Sequence, residues 1–169
     1  GGFNHPPNVD AMLWFTREVF PAVIDQIPDI RLCIVGSNMP ISITSLVSPH
    51  VEILGFLPDS ELEEIYASIR VVVVPLRFGA GVKGKIIEAI CHNIPIVTTS
   101  IGIEGLPDGD KIMSVADEAS EFAETVVGVY KNTVRSESKL KNYANWLSTY
   151  FNKYQVAKII LEDFGSPSR

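Results

Sequence analysis

The sequence predicts an α/β domain in which helices cover both faces of an open parallel sheet. Three observations support this prediction. Short apolar runs alternate with helical segments, small or polar residues follow these runs, and 46% of the residues are hydrophobic. Parallel strands that are covered on both faces read as continuous apolar runs, and short connections favour right-handed crossovers. We therefore expect one core, with the strands parallel and additional helices at the carboxyl end.

The elements follow one another in the order that such a sheet requires. Apolar spacing predicts a first helix from Pro7 to Ile27, where the following proline ends it. Ser60 and Glu63 have the spacing of a capping box at the start of another helix. Four consecutive valines at 71–74 indicate a central strand. Strands are predicted at 31–35, 51–54, 71–74, 94–97 and 111–115, and further helices at 41–47, 58–69, 82–92, 117–132, 136–150 and 153–164.

Length predicts the domain organisation. The 169 residues suit a single domain, which we place at 1–165, followed by a frayed tail at 166–169. The opening segment Gly1-Gly2-Phe3 resembles the end of a strand, so we expect this domain to be a fragment of a longer protein.

Charge and hydropathy exclude several classes of partner. Lys and Arg number 14 against 20 Asp and Glu, and the net charge of -6 disfavours nucleic-acid binding because it repels phosphate backbones. No apolar run reaches the roughly 20 residues of a membrane span, and the amino end shows no leader pattern. The expected location is the cytoplasm, with any attachment to the inner membrane face made through a part of the protein outside this chain.

The segment from Leu76 to Lys85 holds the strongest candidate site. It joins the valine strand to a helix, and ligands of open parallel sheets bind at the carboxyl ends of the strands. Glycines let backbone N-H groups approach an anion, and a helix amino terminus carries partial positive charge. Arg77 could hold phosphate oxygens bidentately, and Lys83 could act as a point charge. The segment therefore predicts a diphosphate site formed by Arg77, Gly79, Gly81, Lys83 and Gly84, whereas the simpler alternative is a turn with solvated cations.

Residues 79–85 also fit the frame G-x-x-x-x-G-K of a nucleoside triphosphate loop. That frame requires Ser or Thr at the next position to bind magnesium, and Ile86 stands there instead. A triphosphatase is therefore disfavoured, and we expect neither a metal nor a cofactor.

Glu88 follows Lys85 by three residues on the same predicted helix. Its carboxylate could accept both hydroxyls of a ribose. The alternative is a surface ion pair with Lys85, which the spacing fits equally well.

Several ordered stretches resemble the glycosyl transferases group 1 family, retaining enzymes built of two Rossmann-like halves in the GT-B arrangement. These stretches are His5-Pro6-Pro7-Asn8 with Asp10-Ala11, Gly55-Phe56, residues 73–77, Lys83-Gly84-Lys85 with Glu88-Ala89, residues 94–99, and residues 102–105. The resemblance implies a hexosyltransferase of polysaccharide biosynthesis whose carboxyl-terminal half binds the nucleotide-sugar donor. Catalysis would occur in the cleft against an amino-terminal acceptor half, so the fragment alone would be inactive and its catalytic residues are unknown.

The resemblance also assigns roles to single residues. Glu88 matches the glutamate that binds ribose, and Arg77 and Lys83 are the diphosphate candidates. Many relatives carry a second glutamate eight residues earlier, where this chain has Ala80, and they place basic residues after the first strand, where this chain has none before Arg17. Further pocket candidates are His5, Phe56, Ala80, Thr99 and Gly102. Two alternative functions stay open: a non-catalytic interaction domain with a degenerate donor site, and a sugar-nucleotide epimerase.

Overall fold

A computed structural model of the chain describes residues 1–132 and 137–151, and it describes side chains for 1–132 and 142–151. The predicted helix at 153–164, the frayed tail and residue 136 lie outside the described residues.

The described strands form a parallel α/β arrangement, which confirms the predicted fold class. The strands are β1 (Leu32–Val35), β2 (Val51–Gly55), β3 (Val72–Val74), β4 (Ile96–Thr98) and β5 (Ser114–Val115). Hydrogen bonds join β1 to β2 and join β3, β4 and β5 in that order, and all three strand pairs are parallel. Gly2 forms a parallel bridge with Ser37, just after β1, as expected for the end of a strand.

The valine strand is not central within the described sheet. In the order β3-β4-β5, the middle strand is β4, and β3 pairs only with β4 among the described strands. The prediction of a central strand failed because a run of apolar residues indicates only that both faces of the strand are buried. An outer strand that is covered by helices has the same apolar run.

Seven α-helices are described: α1 (Pro6–Trp14), α2 (Phe20–Gln26), α3 (Ile41–Thr44), α4 (Asp59–Ser68), α5 (Gly84–Cys91), α6 (Ala119–Lys131) and α7 (Glu137–Tyr150). A wider π-helical turn, Phe15–Val19, joins α1 to α2 within the predicted first helix. Pro21 explains this turn, because proline lacks the N-H for a bond to the carbonyl four residues earlier and its ring would clash with that carbonyl.

Several element starts differ from the sequence predictions, and three of these differences show a physical cause. Helix α4 has Pro58 at its N-cap and no side-chain capping bond, so the capping box of Ser60 and Glu63 is wrong; Ser60 is already the second helical residue. Helix α5 begins at Gly84 because Gly81 has a φ of 83° and Lys83 is extended. The last strand begins at Ser114, since residues 109–111 form a 3₁₀ turn.

Two apolar clusters cover the two faces of the strands. Val73 and Val97 pack with α1, α2 and α6, where the T-shaped pair of Phe15 and Phe122 has ring centroids 5.9 Å apart. Val72, Val74 and Ile96 belong to the other cluster with α5 and α7, whose largest members include Ile86, Ile87, Tyr143 and Trp146. Neighbouring strand residues face opposite sides, so this division follows from strand geometry. The helices thus leave the carboxyl ends of the strands as the place for a site.

The segment that follows β4 packs closely against the end of β3. Thr98 donates its hydroxyl to the Val74 carbonyl oxygen at 2.9 Å, and Gly102 lies directly over Thr98. A Cβ on Gly102 would overlap the Thr98 hydroxyl oxygen and would lie 3.2 Å from the Val74 carbonyl oxygen. Both neighbours are buried, so neither can move into solvent.

We predict that Gly102→Ala lowers the free energy of unfolding by about 1–3 kcal/mol, the usual cost of overpacking. Urea denaturation would measure the change. Gly128→Ala is the matched control, because no atom lies within 4 Å of its added methyl group. Alanine in helix α6 should stabilise the protein by up to about 1 kcal/mol. A Gly102→Ala protein as stable as the wild type would contradict the close approach.

Candidate functional site

The loop between β3 and α5 is shaped by two glycines with left-handed backbones. Gly79 has a φ of 114° and Gly81 a φ of 83°, conformations that residues with a side chain rarely adopt. A Cβ on Gly79 would lie 3.2 Å from Cγ of Pro7. The third predicted glycine, Gly84, is buried as the first residue of α5. The predicted loop therefore stands at the carboxyl end of β3, against the first turn of α1.

Arg77 makes a bidentate ion pair with Asp10 of α1. Its Nε donates to Oδ2 at 2.9 Å and its Nη2 to Oδ1 at 2.5 Å. The guanidinium also lies 5.8 Å from the ring centroid of Trp14. The hydrogen bond to Asp10 raises the pKa of Arg77 above its ordinary value, so this side chain stays protonated. Because 46% of the Arg77 side chain is exposed, the pair lies at the protein surface. We call the space between the first turns of α1 and the loop from β3 to α5 the crevice.

The two lysines of the loop occupy different environments. Lys83 is only 7% exposed, and its ammonium donates to the carbonyl oxygen of Gly81 at 2.5 Å. Lys85, in the first turn of α5, is half-buried, and its ammonium donates to Oδ1 of Asn8 at 2.6 Å. Asn8 in turn donates its Nδ2 to the carbonyl oxygen of Gly2 at 2.8 Å. Lys85 therefore connects helix α5 to the opening segment of the chain.

Glu88 lies one helical turn after Gly84 and is half-buried. Its carboxylate is close enough to Cys91 to contribute to a raised thiol pKa there, after the larger effect of burial. Glu88 is thus in the middle of α5 and keeps some access to solvent, as a ligand contact requires.

The remaining pocket candidates fall into two groups. His5, Phe56 and Ala80 are exposed; His5 precedes α1, and 71% of Phe56 is accessible at the end of β2. Thr99 and Gly102 are buried and bonded to each other, with the Gly102 N-H donating to the Thr99 hydroxyl oxygen at 3.0 Å. The first group can meet a ligand through side chains, whereas the second shapes the backbone.

The described part of the chain contains no group of three or more His, Cys, Asp and Glu side chains that could hold a metal ion. In the same residues, no helix is both long and apolar enough to cross a membrane.

A comparison with known protein families shows which family this chain belongs to. Residues 1–132 match the family described as glycosyl transferases group 1, which covers the sheet and the whole candidate site. This chain belongs to the glycosyl transferases group 1 family. The predicted resemblance to that family is thereby confirmed.

Relatives of this group 1 glycosyltransferase chain are distant and longer. An uncharacterized 44.6 kDa protein of the cps region of Klebsiella pneumoniae is 26% identical over 96% of the chain, which spans 44% of that protein. A crystal structure of an S. aureus TarM mutant, in complex with Fondaparinux, alpha-GlcNAc-glycerol and UDP, has a TM-score of 0.68 at 14% identity. It matches 98% of the chain and 34% of TarM. Anabaena HepE in complex with UDP has a TM-score of 0.48 at 17% identity, with 85% and 43% covered. The chain thus spans less than half the length of each.

Sequence reasoning missed two residues of this candidate site, Asn8 and Asp10, and it missed where the Lys85 side chain lies. Asn8 and Asp10 entered only within a stretch that resembles the family. Lys85 entered within another such stretch and as an alternative ion-pair partner of Glu88. Polar residues that closely follow the first extended segment should have been grouped with the ends of the other strands, since all meet at one edge of a parallel sheet.

We predict that Thr99→Val lowers the free energy of unfolding by about 1–3 kcal/mol. The Thr99 hydroxyl donates to the Leu76 carbonyl oxygen and accepts from Gly102, and valine leaves both buried groups without this partner. Thermal or urea unfolding would measure the loss. Thr99→Ser keeps the hydroxyl and should retain most of the stability. A loss in Thr99→Ser without a loss in Thr99→Val would show that the methyl group of Thr99, and not its hydroxyl, stabilises this turn.

Proposed function

We propose that the chain is the carboxyl-terminal, donor-binding half of a retaining two-domain glycosyltransferase that uses a nucleotide-diphosphate sugar. One observation carries this proposal. The carboxyl end of β3 gathers Arg77, Lys83, Lys85 and Glu88 around a glycine loop and the amino end of α5. Such a cluster offers cations and backbone amides to a diphosphate and a carboxylate to a ribose.

The diphosphate would be held by charge rather than by a metal. A sugar leaving from a nucleotide diphosphate places new negative charge on the phosphate oxygens, and fixed donors that already face those oxygens lower the barrier. Arg77 can contribute although it binds Asp10, because a guanidinium carries five N-H groups and the two bonds to Asp10 use two of them. The ion pair holds the planar donor in place and limits its loss of entropy on binding.

Glu88 suits the ribose because helix α5 starts at the same loop. The partial positive charge of that helix terminus favours the phosphates, and the carboxylate one turn later can accept hydroxyl protons of the sugar beside them. Phe56, exposed at the end of β2, is the candidate to border the base. His5, Ala80 and the backbone from Thr99 to Gly102 would line the same crevice.

The domain proposal follows from length. The chain spans 44% of its relative from Klebsiella pneumoniae and 34% of TarM, which leaves room in those proteins for a second half. We propose that residues 1–165 bind the donor, that the acceptor binds the other half, and that transfer needs both. NMR would test retention, by comparing the anomeric configuration of the sugar in the product of the full-length protein with that in the donor.

Ala80 favours a second candidate, a non-catalytic interaction domain with a degenerate donor site. Position 80 lacks the carboxylate that the family resemblance places there. The two candidates differ in one measurable property, because the degenerate domain would bind no nucleoside diphosphate.

We predict that the folded chain binds at least one of UDP, GDP and ADP in calorimetric titration, without added divalent metal. Arg77→Ala and Glu88→Ala should each raise the Kd about tenfold or more, as expected for the loss of a charge-assisted hydrogen bond. The effect of Glu88→Ala should shrink with the corresponding 2′-deoxynucleotide, which lacks one of the two hydroxyls.

The matched controls for this titration are Arg31→Ala, at the amino end of β1, and Glu121→Ala on helix α6; both residues are exposed and far along the chain from the loop. Each should bind like the wild type. A folded wild-type chain that binds none of the three diphosphates would eliminate the donor-binding proposal and leave the interaction domain.

A further inference from the structure

We infer that Gly105 and Tyr150 are positioning residues for the loop between β3 and α5, although neither lies in that loop. This inference rests on the proposed function, to which it adds a support for the loop and no further ligand contact. Gly105 touches the loop directly, and Tyr150 holds the residues after Gly105 from helix α7. Helix α7 lies beyond residues 1–132, so this support is additional to the part of the chain that the family comparison matched.

Gly105 lies against the middle of the loop. A Cβ on Gly105 would lie 3.2 Å from Cγ2 of Val82, 3.5 Å from the backbone nitrogen of Val82 and 3.7 Å from the carbonyl carbon of Gly81. Its φ of 82° is a left-handed conformation that glycine adopts without steric cost. The Gly81 carbonyl oxygen also accepts the hydrogen bond from the Lys83 ammonium. A shift of Gly105 would therefore move backbone to which one of the candidate cations is bonded.

Helix α7 fixes the three residues that follow this glycine. The indole Nε1 of Trp146 donates to the Pro107 carbonyl oxygen at 2.7 Å, and the Tyr150 hydroxyl donates to Oδ2 of Asp108 at 2.8 Å. Leu106 is buried in the same apolar cluster as Trp146. The segment is thus joined to α7 by two hydrogen bonds and a shared apolar cluster.

Two partners hold Asp108 in an uncommon backbone conformation. Its φ of 54° is left-handed, which is uncommon for a residue with a side chain. Its carboxylate accepts from Tyr150 through Oδ2 and pairs with Lys111 through Oδ1 at 2.9 Å. Hydrogen bonds from Lys111 and Tyr150 lower the pKa of Asp108, and the bond to Asp108 raises the pKa of Tyr150. At neutral pH the acceptor therefore stays ionised and the donor stays protonated, which maintains the link.

The Tyr150 hydrogen bond is suited to position the segment more than to stabilise the fold. Tyr150 is 37% exposed, and a hydrogen bond between exposed groups contributes little to stability because water competes for both groups. Only two residues separate Asp108 from Gly105. Loss of this bond should therefore leave the fold intact and change how Gly105 meets Val82.

The first test compares Gly105→Ala with the wild type in titrations of a nucleoside diphosphate and its nucleoside, using whichever of UDP, GDP and ADP binds most tightly. The added methyl group displaces Val82, and we expect the Kd of the diphosphate to rise about tenfold or more. The nucleoside has no phosphate to meet the loop, so its Kd should change less than about twofold. Val82→Ala removes the atom that the methyl group meets, so adding it to Gly105→Ala should recover part of the affinity.

The second test, Tyr150→Phe, removes only the hydroxyl that binds Asp108. The Kd of the diphosphate should rise about threefold or more, while Tm falls by less than about 4 °C. Asp108→Asn keeps an oxygen that can accept from Tyr150, so it should retain the affinity that Asp108→Ala loses. Ser148→Ala is the matched control, because the exposed Ser148 hydroxyl donates to the Asn145 carbonyl oxygen at 2.8 Å within the same helix. It should bind the diphosphate like the wild type.

The possible outcomes separate this inference from the proposed function. Unchanged diphosphate binding in folded Gly105→Ala would overturn the role of Gly105, and in Tyr150→Phe the role of α7; both results leave the proposed function standing. An equal loss for nucleoside and diphosphate would overturn the inference by showing a general effect on folding. If Gly105→Ala does not fold, Tyr150→Phe and its control carry the test. A wild-type chain that binds no diphosphate would overturn both the inference and the proposed function.

Discussion

The first turn of α1 packs against the loop between β3 and α5, and the arrangement of the site depends on this contact. Two polar links, Asp10 with Arg77 and Asn8 with Lys85, join segments that are 67 and 77 residues apart. Gly79 permits the same approach by leaving room for Pro7. Cations on the second segment are thereby oriented by residues on the first. Neither segment would define the site alone.

These links orient side chains more than they stabilise the fold. An exposed ion pair such as Asp10 with Arg77 contributes at most about 1 kcal/mol, because water and salt screen it. Stability comes from the two apolar clusters and from buried hydroxyl bonds such as those of Thr98 and Thr99. The exposed polar residues of the crevice, such as Arg77, can therefore change with little risk to folding, and variants there report on binding.

Sequence patterns were sufficient to predict the fold class, because each strand and helix has its own local pattern of apolar residues. Apolar runs and helical spacing located every described strand and α-helix, including the segment that Pro21 widens into a π-helical turn. One error concerns the order of the strands, which distant groups decide, and another concerns the start of a helix, which adjacent residues decide. The four valines could not reveal that β4 lies between β3 and β5, and the capping box of Ser60 failed because Pro58 already precedes the helix.

For the site as well, local sequence located the loop but not the contacts of its side chains. Residues 76–85 stood out as a glycine-rich basic loop, and the family of the chain agrees with the predicted one. Partners of the cations could not be predicted, because Asp10 and Asn8 are far away in sequence. Sequence spacing made Arg77 and Lys83 equal candidates for binding a diphosphate. In the structure, the Lys83 ammonium has a buried contact with Gly81, whereas the Lys85 ammonium contacts Asn8 near the ends of the strands.

The absence of an acid from this loop changes the balance of charges at the crevice. Residues 76–85 contain three cations and no Asp or Glu, in a chain whose net charge is -6. Salt limits exposed charges to a range of about 8 Å, so an anion in the crevice would experience the loop more than the acidic remainder. A glutamate at position 80 would add an opposing charge within that range. With Ala80 there, the loop favours an anion such as phosphate. Under the proposed function, the donor sugar would therefore be recognised by neutral groups or by residues outside this chain.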